Sequence, residues 1–284
     1  MKNTYTCITR KILIRADASP QIGAGHLMRM LALSQLVVDS GHDVYFATIP
    51  YSPPILEYLK AEPLHLHRLP LPQKSWDSVS DLESLLAYIS EIQPDWVVLD
   101  GYQFSEAYEH GIKQQGLSLL RVDDIPSMSY SADVLLNQNH GAEQMEYDVH
   151  PNTRLLTGLK YLLLRREFRK ALLEQKIFSE EGPFHILISL GGGSPLCDSL
   201  NLKIIQAFSQ LENWKGSATI IVGKMGIVSE QLTQLLTNIS WPIEVLKQSD
   251  DMASEILKAD LAIVAGGSTM WELMSMQMAK NMLL

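Results

Sequence analysis

Short apolar runs alternate along this chain with longer segments whose apolar residues recur at helical spacing. The runs ILIRAD (12–17), DVYFAT (43–48), WVVLD (96–100), LSLLRVDD (117–124) and DVLLNQN (133–139) read as buried parallel strands. Between them, residues 26–40, 77–93 and 103–115 carry the apolar period of amphipathic helices, and Gly41 falls where the first helix needs a C-terminal cap. The pattern predicts repeated strand–helix–strand units.

The alternation restarts after a charged stretch, 165–182, that ends in SEEGP. Beyond it HILISL (185–190), ATIIVG (218–223), IEVLK (243–247) and LAIVAGG (261–267) read as four further strands. Residues 1–10 are expected to be a disordered lead, 11–150 an N-terminal α/β lobe, 151–182 a linker and helix, and 183–284 a second α/β lobe. The expected fold class is therefore α/β, with two Rossmann-like lobes facing a cleft lined by strand C-termini and glycine-rich turns.

Composition narrows the function more than the fold. With 284 residues, 46% of them hydrophobic, the chain has enough apolar mass for two lobes. A net charge of −9 gives no diffuse reason to bind nucleic acid. Two isolated cysteines, Cys7 and Cys197, make neither a disulfide framework nor a cysteine zinc site. The first residues lack the apolar core of a signal peptide, and no run approaches the ~20 apolar residues of a spanning helix. A cytoplasmic protein without a membrane partner is expected, and a monomer. His65 and His67 share one face of a possible strand, but without a third ligand no metal site is expected.

Three glycine-rich turns carry the candidate chemistry. In IGAGHLMR, Gly23 and Gly25 permit a tight turn and close backbone approach to a ligand ahead of a helix N-terminus. The dinucleotide fingerprint needs a third glycine near Met28 and lacks it, which disfavours NAD. His26 sits in the first helical turn, where the helix dipole disfavours imidazolium, as a general base requires; the competing reading is a packing or capping histidine. Asp17, at the end of the preceding strand, is placed to orient the imidazole or to bind the amides of the turn.

In ISLGGGSP, residues Gly191, Gly192, Gly193 and Ser194 follow a strand directly, either cradling a phosphate or making a close strand-to-helix crossing. In IVAGGSTMWELM, Gly266 and Gly267 bring Ser268 and Thr269 to a helix start suited to a pyrophosphate. Glu272 lies one turn deeper on the same side, placed to accept ribose hydroxyls or to close a capping box with Thr269.

Taken in order, RADASPQIGAGHLMRMLALSQLV, VDDIP, LNQN, GLKYLLLRREF, LISLGGGSP and AGGSTMWEL resemble the PseG family of UDP-sugar hydrolases, which includes SpsG-like polysaccharide biosynthesis proteins. The resemblance runs from about residue 11 to 274 and implies a two-lobed GT-B-type fold like MurG, with UDP held mainly by the C-terminal lobe. It implies hydrolysis of UDP-2,4-diacetamido-2,4,6-trideoxy-β-L-altropyranose to UDP and the free sugar, on the route to pseudaminic acid. His26 becomes the base that deprotonates water for inverting attack at the anomeric carbon, and the two later glycine turns with Ser268, Thr269 and Glu272 become the nucleotide site. No cofactor is called for, because helix N-terminal amides can stabilise the leaving diphosphate.

Arg29, three residues after His26, is expected either to face the same cleft and contact phosphate or carbohydrate, or to lie along the surface. Asp123, Asp124, Asn137 and Asn139 stand second in rank as sugar contacts, and Tyr161, Arg165 and Glu167 read as residues that fix the lobes. Family members continue beyond the GGSTxxE block, so the second lobe reads as truncated, with an uncovered strand edge. A GT-B glycosyltransferase and an inactive nucleotide-sugar-binding module are the rival functions.

Overall fold

The structure, a computed structural model, describes residues 8–19, 22–51, 53–72, 75–173, 183–191, 195–210, 214–223, 226–249, 251–276 and 282–283. Its contacts divide the chain into two compact units, one of His26–Leu163 with the segment up to Ala18, the other of Leu164–Leu284 with Ser19–Gly25.

The first unit runs β1 (Lys11–Ala16), α1 (Gly25–Asp39), β2 (Asp43–Thr48), α2 (Leu56–Lys60), β3 (His65–Arg68), α3 (Ser78–Ile92), β4 (Trp96–Asp100), α4 (Glu106–Lys113), β5 (Ser118–Val122), β6 (Val134–Asn137) and β7 (Arg154–Thr157). All seven strands are parallel, in the order β3-β2-β1-β4-β5-β6-β7. Leu13, Val97, Leu99 and Leu119 of the strands pack on Leu85 and Ile89 of α3 and Tyr108 and Ile112 of α4. Local signals set the helix ends: Asp77 accepts from Ser80 N at the start of α3, and Gly41 past α1 takes φ +83°, the left-handed region that glycine enters without strain.

The five strands read from apolar runs are present, and HLH forms β3. The pattern missed α2 and β7. Segment 154–157 was expected in the linker; it pairs with β6 instead, and its half-exposed four residues carry too little hydrophobic contrast to mark a strand.

The second unit runs α5 (Arg166–Leu173), β8 (His185–Ser189), α6 (Pro195–Ser209), β9 (Ser217–Ile221), α7 (Glu230–Thr237), β10 (Ile243–Leu246), α8 (Met252–Lys258), β11 (Leu261–Val264), α9 (Ser268–Ser275) and β12 (Met282–Leu283). Its parallel sheet has the order β10-β9-β8-β11-β12. Alternate residues of β8 serve opposite faces. Leu187 joins Phe168 of α5, Ile256 of α8 and Leu273 of α9, whereas Ile186 and Ile188 join Ile205 of α6 and Leu235 of α7. The two-residue β12 pairs with β11 through Ala262 and Ile263 and is the last strand on that side of the described sheet. Of the charged stretch, residues 174–182 lie outside the described residues.

Both sheets reverse their strand order once, between β1 and β4 in the first and between β8 and β11 in the second. Such reversals leave a crevice at the strand C-termini in which ligands bind. In sequence, Gly23 and Gly25 follow β1, Gly191 follows β8, and Gly266 and Gly267 follow β11.

Candidate functional site

His26 is the second residue of α1 and is 7% exposed. Buried Leu27, Met30 and Leu31 hold α1 in place, which aims the first turn at the end of β4. There Asp100, fully buried, places Oδ1 2.7 Å from His26 Nδ1. Arg29, one turn later, donates from Nε to Asp100 Oδ2 at 2.5 Å and from Nη2 to Oδ1 at 2.6 Å. Its Nη1 reaches both oxygens of Asp124 at 2.6 Å.

Burial alone would push the Asp100 carboxyl up; the Arg29 guanidinium and the bond from His26 more than offset it, and Asp100 lies below the ordinary carboxylate range. Burial likewise opposes the Arg29 charge, and Asp100 and Asp124 outweigh it, so the guanidinium is held charged more firmly than usual. Arg29 Nη2 also stands 3.1 Å from His26 Nδ1, but it has only hydrogens to offer and gives them to the carboxylate. An ionised Asp100 can only accept, so Nδ1 carries the ring proton and donates a hydrogen bond to it, and the lone pair is left on Nε2. This is the tautomer of a general base.

Tyr102 packs edge-on against the imidazole, 4.7 Å between ring centres, and donates to Asp124 Oδ2 at 3.1 Å. Burial and the neighbouring Asp124 push its phenol up to about 12. Asn139 Nδ2 donates to Asp124 Oδ1 at 2.9 Å, and buried Asn137 donates to Tyr147 Oη at 3.0 Å.

Two expectations are corrected here. Asp17 does not orient His26. Residues two apart on a strand share a face, and Asp17 is held on that face by Arg15 at 2.5 and 2.7 Å, by Ile49 N at 2.8 Å and by Thr48 Oγ1 at 3.1 Å. The orienting carboxylate is Asp100. Arg29 neither lies on the surface nor stands free for phosphate; it is spent on Asp100 and Asp124. The same pattern recurs at the end of β5, where Arg121 donates to Asp123 at 2.9 Å. The strand ends of this unit thus carry more carboxylate than guanidinium.

Before α1, Gly23 takes φ +75° and donates to Ser19 O at 2.8 Å. A Cβ added at Gly23 or Gly25 would meet nothing within 4 Å. In the second unit Gly191 takes φ +85°, while Gly192, Gly193 and Ser194 lie outside the described residues. Gly266 and Gly267 likewise face open space. The expected Thr269–Glu272 capping box is absent, because extended Gly267 is the N-cap of α9 and caps without a side chain. Glu272 is buried and instead accepts from Arg165 Nε at 3.0 Å, with Glu167 Oε1 3.0 Å from Arg165 Nη1. Burial pushes the Glu167 carboxyl up, and Arg165 offsets only part of that. Arg165 thus pins the candidate ribose acceptor.

Among the described residues no group of three or more His, Cys, Asp or Glu is arranged to hold a metal ion, and no helix is long and apolar enough to cross a membrane.

No protein-family model matches the chain. An uncharacterized protein of Methanocaldococcus jannaschii is 27% identical over 270 residues, 92% of this chain and 53% of that protein. The UDP-2,4-diacetamido-2,4,6-trideoxy-β-L-altropyranose hydrolase of Campylobacter jejuni is 29% identical over 72% of this chain and 67% of its own length. The spore coat polysaccharide biosynthesis protein SpsG of Bacillus subtilis is 30% identical over 51% of this chain and 42% of its own. The chain thus spans about half the length of the curated relatives it matches. Among solved structures, Acinetobacter baumannii MurG superposes with a TM-score of 0.59 at 18% identity, covering 94% of this chain and 76% of MurG. An S. aureus MnaA–UDP co-structure gives 0.57 at 13% identity, covering 94% of this chain and 78% of that one.

Two Rossmann-like parallel-sheet units and these neighbours define a GT-B-type α/β protein. Within that class the chain is similar in sequence to the Campylobacter jejuni hydrolase and to SpsG.

Proposed function

We propose that the chain acts on a UDP-sugar and hydrolyses UDP-2,4-diacetamido-2,4,6-trideoxy-β-L-altropyranose to UDP and the free sugar. The observation that carries this reading is the bond from His26 Nδ1 to Asp100, which leaves Nε2 as the acceptor. Nε2 takes a proton from water as the water oxygen bonds to the anomeric carbon. The bond from that carbon to the diphosphate oxygen breaks on the opposite face, the electron pair leaves with UDP, and the centre inverts. Arg29 keeps Asp100 ionised and still, so the imidazole neither rotates nor changes tautomer during the transfer.

The carboxylate-rich strand ends of the first unit disfavour a diphosphate, which supports a nucleotide site in the second. There the amides at the start of α9, after Gly266 and Gly267, take the diphosphate, and Glu272 accepts the ribose hydroxyls. This division needs no metal.

The reaction is followed as UDP release without any acceptor, in EDTA, with the sugar product identified by NMR. Turnover is expected, and His26→Asn is expected to lower it about a hundredfold or more while UDP affinity holds. Near-normal turnover in a folded His26→Asn protein overturns the base assignment. UDP release that waits for an added acceptor hydroxyl replaces hydrolysis with glycosyl transfer.

A further inference from the structure

The hydrolysis proposed above uses His26, Asp100 and Arg29, and it gives no part to Asp124, which takes the remaining nitrogen of the Arg29 guanidinium. Asp124 stands two residues past the end of β5. Asn137, the last residue of β6, donates to its main-chain oxygen at 3.3 Å, and Asn139 donates to its Oδ1 at 2.9 Å. Both carboxylate oxygens accept from Arg29 Nη1 at 2.6 Å, and Oδ2 also accepts from Tyr102 Oη at 3.1 Å. Arg29 and the Tyr102 ring both lie against the imidazole. Asp124 therefore reaches His26 by two routes, a guanidinium and a phenol.

The charges around the ring give this arrangement a purpose. Asp100 and Tyr102 come from the end of β4, Arg29 from α1 and Asp124 from the end of β5. Asp17 and Asp123, the other carboxylates at these strand ends, are bonded to Arg15 and Arg121. While His26 is neutral, Asp100, Asp124 and Arg29 together carry one negative charge. When Nε2 takes a proton from water, the four groups become neutral as a set. Without Asp124 the same step would begin neutral and end with a net positive charge beside a fully buried Asp100 and an Arg29 side chain only 7% exposed. An uncompensated charge in such surroundings is costly.

We propose that Asp124 is a positioning residue of the base: through Arg29 and Tyr102 it holds the imidazole in place, and its charge balances the imidazolium formed when water is deprotonated. This deepens the hydrolase reading and rests on it.

The test follows the imidazole nitrogen-15 signals of His26, assigned by their loss in His26→Asn, across about pH 5 to 9 in the full chain without substrate. Asp124→Asn keeps an oxygen acceptor for Arg29 and Tyr102 and removes the charge, so the ring is expected to protonate at a pH lower by about half a unit or more. Asp124→Ser, which removes the charge with a smaller side chain, is expected to do the same. Tyr102→Phe keeps the charge and the ring, and is expected to leave the midpoint in place. In turnover, the acid limb of kcat/KM is expected to move down with the midpoint in Asp124→Asn, and the plateau to fall about twofold or more, because a weaker base accepts the proton. UDP affinity is expected to hold. An unmoved midpoint in variants shown folded by circular dichroism, or an equal drop in Tyr102→Phe, overturns the proposal. So does a lowered plateau with an unmoved acid limb, which a purely structural carboxylate would give. A midpoint that falls as expected while wild type releases no UDP supports the charge coupling and overturns the hydrolase reading instead.

Discussion

The Asp100 carboxylate serves an imidazole and a guanidinium at once, and removing its charge has two separable consequences. In Asp100→Asn the side-chain amide no longer demands the Nδ1 proton, so His26 loses its fixed tautomer and turnover falls with UDP affinity intact. Stability falls too, by about 3 kcal/mol, because Arg29 keeps only Asp124. The sign of its pH dependence follows from the depressed folded value. Asp100 contributes its stability above the unfolded carboxyl value near ~4 and loses it as pH falls through the lower folded value. The gap between wild type and variant in urea unfolding is therefore expected to be constant from pH 7 to 5 and to shrink below about pH 4. His26 was legible in the sequence because GxGHxxR places an imidazole at a helix start. Asp100 was not, although it ends a strand as Asp17 does, because only the β1–β4 pairing brings it to His26 and no local pattern reveals which strands are neighbours.

Elements were legible in proportion to their hydrophobic contrast. β1, β2, β4, β5, β8 and β9 are largely buried and read as apolar runs, whereas β7 and α2 are short and half-exposed. Two glycines flanking α1 separate a structural role from one in binding. Gly41 sits at φ +83°, so Gly41→Ala is expected to cost about 1 kcal/mol in chemical unfolding and to leave activity per folded molecule unchanged. Gly25 is helical with open space where a Cβ would stand, so Gly25→Ala is expected to retain or raise stability. If that space is where substrate approaches His26, the same variant loses turnover. Full activity in Gly25→Ala would assign the glycine to the turn alone.

At the scale of the molecule, two sheets of one plan carry different chemistry on the same topological feature. The first unit surrounds its reversal point with carboxylates held by arginines. The second surrounds its own with glycine and hydroxyl residues, Ser268 and Thr269 standing in the first turn of α9. The alternation of strands and helices made this doubling legible from composition and spacing. The pairing of Glu272 with Arg165 escaped, since the two are 107 positions apart and neither lies in a shared motif. Glu272→Gln weakens both that pair and the proposed grip on ribose, so UDP affinity measured by calorimetry is expected to fall about tenfold, or ~1.4 kcal/mol, with kcat at saturating substrate little changed. Unaltered UDP affinity would leave Glu272 as the structural partner of Arg165.

Phe104 lies between two of the buried guanidiniums, its ring centre 5.2 Å from Arg15 Cζ and 5.8 Å from Arg121 Cζ. Nuclei above an aromatic face are shielded by its ring current, and buried N–H protons exchange slowly with water. The Nε–H signals of Arg15 and Arg121 are thus expected to stand apart from those of surface arginines in an arginine-labelled sample. Arg15 is shared between Asp17 and Asp81, and Arg121 pairs with Asp123, next to the Asp124 that holds Arg29. The protein carries a pair of built-in spectroscopic probes, one for each region, readable without altering a single residue.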